Sequence, residues 1–277
     1  MTALSAYLCP VCTAPLALAA TGKSYQCVQG HCFDLAKEGY LNLLPVQHKH
    51  SSEPGDSKAM LNARRAFLEA GHYEPLANAI SAILNNEATA MNQPLRLLDI
   101  GCGEGYYSRK IHMMLPNIEW HGLDIAKFAI AAAAKKLPNA HYVVASSKRL
   151  PYCDQYFDVV LRVFAPSDED ELQRVLKPFG RLLIVTPGPR HLAQLKAFIY
   201  HDVREHADAI ACPAGFTRIT SQRLSYWLET YPSERAALLQ MTPFAWRANY
   251  ERQQALQAPE ILRIETDFIL SLAEKNC

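Results

Sequence analysis

Cys9-Pro10-Val11-Cys12 is followed by Cys27 and then His31, a spacing of C-x2-C-x14-C-x3-H. Two thiolates in a C-x2-C knuckle can share one ion. A second pair closes a tetrahedron, the donor set of a structural zinc site. Cys32 adjoins His31, and either residue can supply the fourth ligand. His31 is preferred, because a C-x3-H arrangement lets Cys27 and His31 converge across a short turn. Four protein ligands leave no open position, so the expected role is structural rather than catalytic. So short a segment buries little apolar surface, and the metal would supply much of its folding energy.

A second chemistry lies in Arg96-Leu97-Leu98-Asp99-Ile100-Gly101-Cys102-Gly103-Glu104-Gly105-Tyr106-Tyr107-Ser108. An apolar run carrying one acid meets three alternating glycines. Such a turn brings backbone close to a ligand, because no Cβ stands in the way. A helix that follows aims its free N–H groups at the same spot. The third glycine of a dinucleotide fingerprint would fall at 106, where Tyr106 stands. No Lys-Ser or Lys-Thr pair follows, so the turn is not a phosphate-cradling loop. Asp124 ends a second apolar run about 20 residues on, the place of a ribose-binding acid in a βαβ unit. The pattern describes a ribonucleoside site without a pyrophosphate. S-adenosylmethionine meets that description, with Asp99, Gly101, Gly103 and Asp124 as its candidate contacts.

The elements that must position these residues follow from the rest of the chain. Ser57 opens a helix through Leu68 that stops at Gly71, and a second helix runs from about His72 to Asn85. Ile118 to Asp124, His141 to Ser146, Phe157 to Pro166 and Arg181 to Thr186 read as strands. Helices alternate with them: Ala126 to Lys136, stopped by Pro138, and one capped by Ser167 with Asp170 three residues on. This alternation predicts an α/β fold, a doubly wound, mostly parallel Rossmann-like sheet, with ligands at the carboxyl ends of the strands. A small N-terminal zinc-binding domain precedes it. Phe33 to Pro45 reads as an apolar hairpin-like run, Gln47 to Lys58 as a polar loop, Gln222 to Leu228 as a helix, and Ile261 to Leu272 as a terminal alternating strand. The expected division is 1–45 for the zinc-binding domain, 46–90 for a linker with helices, and 91–277 for the nucleotide-binding domain.

A hydrophobic content of 49% over 277 residues supplies a full core. A net charge of +1 excludes a uniformly basic nucleic-acid protein but leaves room for a local basic face. Residues 37–65 hold five Lys/Arg against three acids, with His48 and His50 nearby. No long apolar run or basic-then-apolar leader is present, so the expectation is a cytoplasmic protein without a membrane span. Cys102, Cys153, Cys212 and Cys277 are scattered, as unpaired thiols would be.

The glycine turn and its flanking strands resemble a class I methyltransferase. Nearly the whole chain then resembles the 23S rRNA guanine-N1 methyltransferase family of the RlmA type. The matching stretches are the Cys9/Cys12/Cys27/His31 knuckle, Phe33-Asp34, Ala36 to Tyr40, Asn42 to Gln47, Gly71-His72-Tyr73, Asp99 to Tyr107, Pro187 to Leu192, and Met241 to Trp246. The resemblance implies zinc on Cys9, Cys12, Cys27 and His31. It implies cofactor contacts from Tyr73, Tyr107, Ser108 and His191, and the general class I ribose position for Asp124. The implied substrate is a guanine in a hairpin of domain II of 23S rRNA.

Guanine N1 carries a proton at neutral pH, so a base is useful, and His191, Glu104 and His72 are candidates. Arg190 and Lys196 can hold phosphate, Phe164 or Tyr106 can stack on a flipped guanine, and Phe244 to Arg247 can line the base pocket. A homodimer whose two basic faces grip one RNA hairpin is the expected assembly. The competing readings are a small-molecule methyltransferase with an incidental zinc site, and a zinc-dependent RNA-binding module whose methyltransferase fold is inactive.

Overall fold

The structure is a computed structural model that describes residues 6–45, 55, 57–91, 93–200, 211–242, 244 and 248–276. Most of the polar loop expected over 47–58, together with Val46, His48, His50, Ala245-Trp246-Arg247 and Cys277, lies outside the described residues.

Eight strands make one sheet: β4 (Leu41–Asn42), β5 (Arg96–Ile100), β6 (Glu119–Asp124), β7 (His141–Val144), β8 (Phe157–Val163), β9 (Leu176–Pro187), β10 (Phe216–Thr230) and β11 (Leu262–Lys275). Their order is β10-β11-β9-β8-β5-β6-β7-β4. The pairs from β9 through β4 are parallel, while β11 runs antiparallel to both β9 and β10. Strand order reverses between β5 and β8, which makes the crevice beyond their carboxyl ends the topological switch point.

The near-continuous apolar runs of β5 and β8 exist because both faces of the sheet are covered. Leu97, Val159, Leu161, Leu183 and Val185 face one side. They pack against α1 (Lys58–Glu69), α2 (Glu74–Met91) and α3 (Tyr106–Met114). Leu98, Ile100, Val160, Leu182 and Ile184 face the other, with α5 (Glu169–Val175) and the N-terminal ribbon. That ribbon is a three-stranded antiparallel sheet of β1 (Leu16–Leu18), β2 (Ser24–Cys27) and β3 (Cys32–Asp34). Tyr7, Leu16 and Cys27 bury against the large sheet, so the ribbon covers apolar surface that a crossover helix would otherwise cover.

Three local readings are corrected. Gln222 to Leu228 is not helical but lies within β10. Leu224, Tyr226, Leu228 and Thr230 turn inward, while residues 223, 225, 227 and 229 are exposed, a period of two rather than 3.6. Ser167 does not cap α5. Its hydroxyl accepts from Arg162 at 2.6 Å, and the Asp168 side chain accepts from the Asp170 and Glu171 N–H groups. The apolar stretch after β3 closes only a narrow loop, with one bridge between Leu35 and Leu41, before Leu41-Asn42 leaves to pair in parallel with β7. The remaining helices are α4 (Lys127–Lys136), α6 (Ala193–Ile199), α7 (Pro232–Gln240) and α8 (Tyr250–Gln257).

Candidate cofactor cavity and metal centre

The knuckle at Cys9–Cys12 and the β2–β3 turn bring four donor atoms, from Cys9, Cys12, Cys27 and His31, within 4.8 Å of one another. Cys12 Sγ lies 3.7 Å from Cys27 Sγ. His31 Nδ1 lies 3.6 Å from Cys9 Sγ and 3.3 Å from Cys27 Sγ. Tetrahedral Zn–S bonds of about 2.3 Å require S···S separations near 3.7 Å, so the donors fit the ion. Burial raises the Cys27 thiol. Hydrogen bonds from the His31 and Gln29 backbone, and from Cys12 and His31 side chains, outweigh it and bring the thiol down to about 6. That lowering favours the thiolate, the form that binds metal. Cys32 is exposed on β3 and outside this group, so His31 stands where the fourth ligand is needed.

The glycine turn opens onto a cavity of about 1520 Å³ beyond the carboxyl ends of β5, β6 and β8. This exceeds the roughly 300–1,000 Å³ of an ordinary small-ligand pocket, so a nucleoside and a second base-sized group fit together. Gly101 has φ +71°, and a Cβ there would come within 2.5 Å of the Ala165 Cβ. The two loops that meet at the switch point therefore touch through the missing side chain. Gly103 has φ +55° with nothing within 4 Å of a Cβ, so its backbone borders open space. Asp124 holds the turn from the next strand. One carboxylate oxygen accepts from Gly103 N–H at 3.0 Å and the other from Ala126 N–H at 2.8 Å. An open cradle, two glycines and an acid at the end of β6 fit the ribose and amino-acid parts of S-adenosylmethionine.

The candidate contacts fall into two groups. Tyr73, Asp99, Gly101, Gly103, Tyr107, Asp124 and His191 line the cavity. Ser108 is fully buried and instead donates to Asp99 at 3.1 Å. Burial in the sheet raises the Asp99 carboxyl to about 7, partly offset by the Ser108 hydrogen bond and reinforced by Asp124.

Each of the three candidate bases is already hydrogen-bonded or ion-paired. His191 Nδ1 accepts from the Asp267 N–H at 3.2 Å, which places its proton on Nε2, 3.5 Å from the Tyr73 hydroxyl. Glu104 is clamped by Arg65, with Lys136 at 3.7 Å. His72 Nε2 meets Glu234 at 3.1 Å, and His72 lies outside the cavity lining. The phosphate pair is likewise engaged: Arg190 bonds Glu265 at 2.7 Å, and Lys196 is buried beside the Phe244 ring. Tyr106 and Phe164 both line the cavity, but Tyr106 is largely buried, whereas Phe164 is 43% exposed, its ring stacked 6.1 Å from that of His191.

Several contributors carry no local signal in the sequence. Asp267, Arg65 and Lys136 act on groups 76, 39 and 32 residues away, so only the fold reveals them. Lys148, Arg149 and Arg174 line the cavity, as do Leu8, Pro10 and Thr13 of the ribbon.

This sheet order, with a glycine turn at its switch point and acids ending two adjacent strands, defines a class I S-adenosylmethionine-dependent methyltransferase. Residues 7–52 match the family described as RlmA, N-terminal, and residues 92–232 a methyltransferase domain. A 23S rRNA (guanine(748)-N(1))-methyltransferase of Streptomyces fradiae is 34% identical over 86% of this chain and 85% of its own. A Bacillus subtilis protein with the provisional name 23S rRNA (guanine-N(1)-)-methyltransferase is 31% identical over 98% of both chains. A malonyl-[acyl-carrier protein] O-methyltransferase of Halorhodospira halophila, 29% identical, matches 52% of this chain. The chain belongs to the 23S rRNA guanine-N1 methyltransferase family.

Proposed function

We propose that this protein transfers a methyl group from S-adenosylmethionine to N1 of one guanine in a domain II hairpin of 23S rRNA. One observation carries this reading. The zinc ribbon, through Leu8, Pro10 and Thr13, and the glycine turn line the same cavity. A nucleotide that enters is therefore gripped by the ribbon while its base reaches the cofactor. The cofactor supplies a methyl group on a sulfonium centre. Tyr73, Asp99, Gly101, Gly103, Tyr107, Asp124 and His191 are the residues to hold it, with Ser108 positioning Asp99. Phe164 offers an exposed ring face on which an extruded guanine stacks. Lys148 and Arg149, both exposed, take the phosphates that Arg190 and Lys196 are too engaged to bind. Most of the acceleration then comes from alignment and exclusion of water rather than from a dedicated base.

In this reading residues 1–45 form the zinc-binding, RNA-recognising part, 46–90 a linker with helices, and 91–277 the methyltransferase part. The protein works in the cytoplasm, as a homodimer on one hairpin. No helix among the described residues is long and apolar enough to cross a membrane.

The test is transfer of labelled methyl groups from the cofactor to 23S rRNA, followed by primer extension, which N1-methylguanine arrests. A single new stop is expected with the native protein and none with Asp124→Ala. No transfer to naked RNA or to ribosomal particles would overturn the reading. Sedimentation of the protein with a hairpin separates a two-to-one complex from a one-to-one complex.

A further inference from the structure

Glu119 and His121 stand two apart at the start of β6, which puts both side chains on one face of the sheet. His141 begins β7 and lies directly across from His121 in the parallel register. One donor atom from each of the three residues falls within 4.8 Å of the others. The two imidazoles stack at 4.7 Å, and His121 Nε2 meets Glu119 Oε1 at 3.0 Å.

We propose that Glu119, His121 and His141 form a second metal site for a divalent transition ion, separate from the cysteine centre. None of the three lines the cofactor cavity, and Glu119 stands at the opposite end of β6 from Asp124, roughly 16 Å away at the rise of a strand. Two imidazoles and one carboxylate suit Zn²⁺, Co²⁺ or Ni²⁺, and lack the oxygen count that Ca²⁺ or Mg²⁺ demands. His121 is 2% exposed and turns its Nε2 toward Glu119, so an ion would take Nε2 and the Glu119 carboxylate in place of the hydrogen bond that now joins them.

The surroundings are those of a supported site. Glu119 also accepts from the Tyr156 hydroxyl at 3.1 Å and from Arg96 Nε at 3.3 Å, which fixes the carboxylate. Rings of Tyr7, Tyr152, Tyr156 and Phe157 lie 5.1–6.4 Å from His121 and leave it little freedom to turn. His141 is exposed, so an ion has a way in and water can complete its coordination. Tyr7 belongs to the segment that leads into the ribbon, so an ion here staples β6 to β7 beneath the ribbon's point of attachment.

The experiment uses the untagged full chain, with Co²⁺ as the probe, and needs no measurement of methyl transfer. The first equivalent should enter the thiolate site and give intense sulfur-to-cobalt charge-transfer absorption. The second should add only weak ligand-field bands from nitrogen and oxygen donors, and should raise the melting temperature. Elemental analysis after dialysis against Zn²⁺ should return two ions per chain. In His141→Ala, whose exposed side chain can be removed without disturbing the core, it should return one. Glu119→Gln should also lose the second ion. Saturation at one ion in the native chain overturns the proposal. So does a second ion that survives His141→Ala, or one that vanishes in Cys32→Ser.

Discussion

Single residues decide how the turn is held. Asp99 is enclosed in the sheet, and its carboxyl is raised from 3.8 to about 7. Between those values the unfolded chain holds fewer protons than the folded one. Asp99 alone therefore contributes stability to the cofactor-free protein that is lost as pH climbs from about 4 to about 7, on the order of 4 kcal/mol. Asp99→Asn should flatten that part of the profile, seen as the difference between native and variant urea midpoints across the range. Gly101→Ala faces both a positive φ and a contact at 2.5 Å with Ala165. It should destabilise the protein by about 1–3 kcal/mol and weaken cofactor binding, measured by calorimetry. The zinc donors were legible because C-x2-C and C-x3-H are local spacings that local turns realise. The engagement of Glu104 was not, since nothing near it in the chain announces Arg65 or Lys136.

At the level of elements, the long terminal hairpin was half visible. β11 was readable as a strand, but the alternation expected of it is absent, because residues 264–273 are buried on both faces. β10 hid its alternation among polar residues and looked helical over 222–228, since it is an edge strand with one face in solvent. The parallel strands and their helices were readable because each repeats one pattern, a short apolar run and then an amphipathic stretch. Fully buried Arg235, on α7, ties this region together: its guanidinium donates to the Thr230 carbonyl at the end of β10 and to those of Leu256 and Pro259 around the end of α8. Arg235→Ala should cost about 3 kcal/mol or more, because three carbonyls, two of them on buried residues, lose their donor. Arg235→Lys should recover little, since one ammonium cannot span the fork. Denaturant midpoints of the two variants check both statements.

Across the whole molecule, the ribbon and the sheet share a core, with Tyr7, Leu16 and Cys27 buried against β5, β6 and β8. Stripping the metal with a chelator should lower the melting temperature and abolish RNA methylation, because the ribbon's order rests on the ion. Cofactor affinity should move by less than about threefold, under 1 kcal/mol, because Asp124 holds the turn without help from the ribbon. Equilibrium dialysis with labelled cofactor, before and after chelation, separates the two effects. That the ribbon would dock on a sheet face could not be read from spacing, which fixes the donors around an ion but says nothing of what the outer surface meets. β11 sits inside the sheet, between β9 and β10, and its Asp267 N–H donates to His191 Nδ1 in the cavity wall. Without residues 262–275 the sheet loses the strand that joins β9 to β10, and His191 loses the donor that fixes its ring. A chain cut before this strand should therefore bind the cofactor weakly and transfer no methyl group, which calorimetry and a methylation assay on the truncated chain check.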